Sequence, residues 1–277
     1  MVALSGDVIA RYKRFSLYNS PYPAHDRGYA IDLYPGTETA SSPVAGEVLE
    51  TRTVRCPPKP YAVSEDHLIL IDCGDVVARI LHVDPSVEEG DSVAIGDSLG
   101  RLVRSGFFGQ WVDNHIHLGF RKPTQNLRRA SGSLPLSVDI SVDGVPWNGA
   151  GEVVETGPTH LLLDAPSHDG SGFAALASDS GVPLDGGLAH YSGGGVLAEA
   201  RGEVSLLGTP VGTVDGEGVE WRDVAIRANG ARATGLSLFA SRVPFGAKVI
   251  FHEGHDFAVG DHVDVSIEPT DDPIRLG

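Results

Sequence analysis

The chain has 277 residues, enough for one large or two medium domains, with 35 glycines and few aromatic side chains. That composition favours short strands and frequent turns over long helices. A formal net charge of -16 argues against binding to nucleic acid or to an anionic membrane surface.

The basic side is lopsided, with 4 lysines (Lys13, Lys59, Lys122 and Lys248) against 17 arginines. Many carboxylates, few lysines and small side chains point to a salt-adapted protein, as from a halophilic archaeon, with an ordinary acidic cytosolic protein as the alternative. Cys56 and Cys73 stand alone without CxxC spacing, so neither a disulfide framework nor a thiolate zinc site is expected. The opening Met1–Asp7 lacks the basic start and apolar core of a signal peptide. No apolar run approaches the roughly 18 residues that span a bilayer. The expectation is a soluble, cytoplasmic protein.

Residues 8–24 alternate apolar and polar side chains up to Pro21 and Pro23, which reads as a strand entering an irregular loop. His25 follows on that loop, and Asp32 sits inside the short apolar run Ala30–Tyr34. An acid between Ile31 and Leu33 is costly to bury unless it is paired or ligates a cation; otherwise it faces solvent on an edge strand. Ser42–Leu49 is a turn leading into a strand, and Pro57, Pro58 and Pro60 mark an extended excursion. His67–Val83 reads as two apolar strands joined by a tight turn at Cys73-Gly74-Asp75, with His82 at the end of the second. Val87–Gly100 has glycines spaced for short strands and turns. His115-Ile116-His117-Leu118 then looks like a strand that carries both imidazoles on one face, about 7 Å apart.

The order of these features resembles the lysostaphin-type zinc metallopeptidases. Their sequences run His…Asp, a Pro-Val-x-Ala turn and strand, an apolar hairpin ending in His-Leu, a Val-x-x-Gly-Asp run and a final His-x-His. The matching pieces are Ser42–Val48, Leu68–His82, Val87–Gly100 and His115–Leu118, and the likeness covers about residues 20–122. It implies an all-β duplicated hybrid motif, a Zn2+ cofactor held by His25, Asp32 and His117, and catalytic roles for His115 and His82. The family places three residues between the first His and the Asp, whereas six separate His25 from Asp32, and Gly28 stands where a ligand would be. Either a loop returns His25 to the metal or the site lacks a third ligand. A His/Asp/His set leaves one position for water, whose pKa zinc would bring towards neutrality. His115 would then act as general base and His82 would stabilise the oxyanion or hold the water, giving amide hydrolysis without a covalent intermediate.

Residues 123–133 are polar, basic and Gly/Ser-tipped, a linker between expected domains at 1–125 and 134–277. From Leu134 alternating strands with Asp-Gly and Gly-rich turns predict a second antiparallel β-barrel or sandwich, with a short helix at Phe173–Ala177 inside the long loop 166–195. His252, His255, Asp256, Asp261 and His262 cluster in sequence, but the hairpin spacing favours solvated turn residues over ligands. The segment Phe257–Val263 echoes Val87–Val93. The whole reads as an all-β, two-domain, zinc-dependent metallopeptidase-like protein acting on a peptide or protein substrate. The alternative is a non-catalytic β-module of the same fold, used for protein binding or assembly.

Overall fold

The computed structural model describes residues 1–242 and 245–276; the expected end of the second domain at 277 lies outside these. The chain is nearly all β, as the alternating patterns and turn residues predict. It forms two compact units, Met1–Phe15 with Arg27–Ile140, and Ser16–Asp26 with the chain from Ser141 onward.

In the first unit an antiparallel sheet runs in the order Ser92–Val93, Gly46–Arg55, Glu65–Asp72, Val77–Leu81, Ile116–Arg121 and Ala30–Tyr34. Ile31, Leu33, Ile69, Ile71, Ile80, Ile116 and Leu118 are all buried, which fixes the pairing register, since a one-residue slip would turn each of them to the other face. That register sets His117 opposite both Asp32 and Leu81, the residue before His82. The sheet thus gathers residues far apart in sequence at one end of three neighbouring strands. The strand Val2–Ser5 pairs in parallel with Leu136–Asp139 in the same unit.

The second unit is built on a sheet that runs from Thr209–Trp221 through Gly193–Leu206, Leu184–Leu188, Gly235–Leu238, Lys248–Ile250, His160–Leu163, Ala150–Gly157, His262–Pro269 and Val224–Ala228 to Ala231–Ala233. Its core holds Trp147, Leu161, Leu163, Leu184, Trp221 and Val249 among others.

One turn device recurs. The Asp91 carboxylate accepts the Glu88 N–H at 2.8 Å, while Val48 accepts the Gly90 N–H and donates its own N–H to the Asp91 carbonyl. Asp261 accepts the Ala258 N–H at 2.8 Å, with Gly260 and Val153 in the matching places. The sequence echo of Val87–Val93 in Phe257–Val263 is therefore an echo of hydrogen bonding. Gly90 and Gly260 both take positive φ, +92° and +94°, which a side chain would resist.

Two expectations are corrected. Phe173–Leu176 is a strand, not a helix: all four residues are buried and pair in parallel with Val142–Val145, so sheet burial overrides the helix propensity of the alanines. Within and just before residues 8–24, Gly6–Ile9 is a helical turn with Asp7 in its first turn, and only Arg14–Ser16 is strand.

Candidate metal centre

Asp32 projects from the strand Ala30–Tyr34 and His117 from the adjoining Ile116–Arg121. As directly opposed residues their side chains meet: His117 Nδ1 lies 3.0 Å from Asp32 Oδ1. His115, just before that strand, places Nε2 3.5 Å from the other carboxylate oxygen, Oδ2. Asp32 is only 3% exposed, and both imidazoles stand at its carboxylate.

The six-residue gap before Asp32 is taken up by a turn. The N–H groups of His25 and Asp26 both donate to the Tyr22 carbonyl, and Gly28 takes φ +63°, the left-handed conformation that reverses the chain cheaply only at glycine. His25, Asp32 and His117 each offer one ligand atom, and these atoms lie within 4.8 Å of one another.

The loop's own anchor is Asp185, a fully buried carboxylate of the second unit. It accepts Ser16 Oγ at 2.5 Å, Leu17 N–H at 2.6 Å and Tyr18 N–H at 3.3 Å. Burial pushes its pKa up, the bonds from Ser16, Leu17 and Tyr18 pull it back, and it rests at about 6. The Leu17 carbonyl, fixed by this contact, lies 2.8 Å from His25 Nδ1. A carbonyl can only accept, so Nδ1 carries the proton and Nε2 the lone pair.

His82 ends the strand Val77–Leu81 with φ +71°, unusual for a residue with a side chain. Asp66 holds it there: Oδ1 accepts the His82 backbone N–H at 2.9 Å and Oδ2 faces ring Nδ1 at 2.5 Å. Burial would raise the Asp66 pKa, but the hydrogen bond and electrostatic pull of His82, with Ser105 and the His67 N–H, hold it down to about 2. The His82 ring packs edge-on against His115, centroids 4.9 Å apart, and lies 5.8 Å from His117. His115 donates Nδ1–H to the Asp113 carbonyl at 2.8 Å. Burial drives its pKa down to about 4 in spite of the nearby Asp32 charge, so its imidazole is neutral at pH 7.

Phe108 covers these rings, its centroid 4.6 Å from His115 and 5.0 Å from His82. Arg104 lies over Phe108 and donates to the carbonyls of Gly109, Gln110 and Val112, which pins the loop that carries it.

Residues 3–138 match the family described as domain of unknown function (DUF8155) N-terminal domain, and residues 143–268 match its C-terminal domain. The chain belongs to the DUF8155 family. No curated protein matches it. Among solved structures it is similar to the NMR solution structure of lysostaphin, with a TM-score of 0.28 and 12% identity over 89% of this chain and 96% of that one.

The donor set of this DUF8155 chain suits a divalent metal of zinc type. Two imidazoles and one carboxylate are a mixed nitrogen and oxygen set, and a ring N–H given to a backbone carbonyl, as in His25, is how metal-binding histidines are commonly oriented. The histidines near the C-terminus are engaged otherwise: His252 meets Thr234 Oγ1 at 2.8 Å, and His255 meets the Gly157 and His160 carbonyls at 3.0 Å. Asp66, Phe108, Arg104 and Asp185 escaped the sequence reading. Asp66 lies beside Glu65 and His67, a polar trio that resembles an exposed strand end until pairing with Val77–Leu81 buries it.

Proposed function

We propose that this protein is a zinc-dependent amide hydrolase acting on peptide or protein substrates. The observation that carries the reading is the approach of His25, Asp32 and His117 ligand atoms to within 4.8 Å, with His115 and His82 packed against them. The ordered resemblance of residues 20–122 to lysostaphin-type metallopeptidases gives the same roles to the same residues. A zinc ion bound there would polarise the scissile carbonyl and acidify water.

The protein's own groups supply the proton traffic. His115, with its proton on Nδ1, has its lone pair on Nε2 and accepts a proton as water attacks the carbonyl carbon. It returns that proton to the amine nitrogen as the carbon–nitrogen bond breaks. His82, with its proton on Nδ1, accepts the water's other proton in a hydrogen bond at Nε2 and so holds the water for attack. The burial of His82 and His115 keeps these interactions strong.

The test is hydrolysis of a quenched-fluorescent peptide library by wild type and His115→Ala, with zinc content measured on both. Loss of roughly 10²–10⁴-fold in rate with zinc retained is expected for removal of a general base. Unchanged activity in His115→Ala would sink its assigned role.

A further inference from the structure

We propose that Asp66 is a positioning residue that fixes the proton of His82 on Nδ1 and so presents Nε2 to the reacting centre. Every acceptor site of this carboxylate is committed. Oδ1 takes two backbone N–H groups, from His67 at 2.7 Å and from His82 at 2.9 Å. Oδ2 takes the His82 ring at 2.5 Å, and Ser105 adds a hydroxyl. Asp66 and Ser105 are both 0% exposed, so this is a dry, satisfied clamp rather than a surface ion pair.

Two features exceed what structural support needs. The same carboxylate grips both the backbone and the ring of His82, at a residue held with φ +71°. Left-handed backbone at a residue with a side chain persists only where surroundings impose it, and it concentrates at functional sites. A carboxylate oxygen can only accept, so the ring nitrogen facing it must be the protonated one, and the lone pair falls to Nε2. The ring so fixed is the one that packs on His115 and lies near His117. A carboxylate behind an imidazole sets tautomer and orientation and supports the imidazolium when it forms.

Asp66→Asn is the informative change because it is isosteric. Its carbonyl keeps the two backbone donors at the Oδ1 place, which sets the amide NH2 at the Oδ2 place, against His82 Nδ1. Facing a donor, Nδ1 must accept, and the ring proton moves to Nε2. The kinetic part of this inference rests on the hydrolase reading; the tautomer part does not.

The experiment is a long-range 1H–15N correlation spectrum of the full-length protein, with the His82 ring assigned by its loss in His82→Gln. Wild type should show Nδ1 protonated and Asp66→Asn should show Nε2 protonated, with zinc content unchanged. On a cleavable library peptide, Asp66→Asn should lower kcat by about 10²–10⁴-fold and leave KM unchanged, as expected when the imidazole that holds the attacking water takes the wrong tautomer and presents a donor in place of an acceptor. Wild type with its proton on Nε2, or an Asp66→Asn variant with the wild-type tautomer and full kcat, would overturn the proposal. If wild type cleaves nothing, the hydrolase reading fails, and the two spectra still decide the role of Asp66.

Discussion

Replacing Asp185 by asparagine should stabilise the second unit at neutral pH and leave it unchanged in mild acid. The carboxylate is fully buried, and its pKa in the folded protein stands at about 6 against an ordinary 3.8. Between those values the folded protein holds a proton that the unfolded chain has released. The stability tied to that proton is therefore complete below about 3.8 and is lost as pH rises through about 6. The separation corresponds to roughly 3 kcal/mol. Asparagine keeps a carbonyl for the Leu17 and Tyr18 N–H groups and offers its amide to the Ser16 oxygen, with no charge to bury. The expected gain is up to about 3 kcal/mol near pH 7, shrinking to nothing by about pH 4. Urea unfolding followed by tryptophan fluorescence reads this, since Trp147 and Trp221 lie in the core of that unit. An Asp185→Asn variant that is less stable than wild type by the same amount at both pH values would refute the reasoning. It would mean that the charged hydrogen bonds outweigh the cost of burial.

Phe108→Ala should uncover His115 and His82, so diethylpyrocarbonate should modify them faster than in wild type while the Tm falls only modestly; equal rates would show that Phe108 does not guard the rings. Gly100→Ala should be strongly destabilising, by about 3 kcal/mol or more, because a Cβ there would lie 2.0 Å from the Asp84 carbonyl oxygen at φ +140°. Denaturant titration checks it, and a variant as stable as wild type would contradict the strand geometry.

The strands of both units were legible because their buried faces repeat with period two and their turns carry glycine and aspartate. The Phe173–Leu176 strand was not, since a short run of alanines with a phenylalanine and a leucine has no period to read, and its pairing in the sheet decides it. The candidate residues were legible as types in order: His25, Asp32, His82, His115 and His117 stand out in the chain, and the structure brings them near one another. What supports them was not legible. Asp66 meets His82 through strand pairing, and Asp185 meets Ser16 across 169 positions of sequence. Such contacts depend on register and packing, which no local pattern encodes. The turn that carries His25 back was written in Gly28, but a lone glycine in a loop does not announce which residue it will return.

The proposed chemistry requires that His25, Asp32 and His117 bind a metal. Elemental analysis of wild type and His25→Ala, each purified and supplied with zinc, measures this. One zinc per chain in wild type and its loss in His25→Ala are predicted. Wild type without metal, or His25→Ala with the wild-type content, would contradict the centre as drawn.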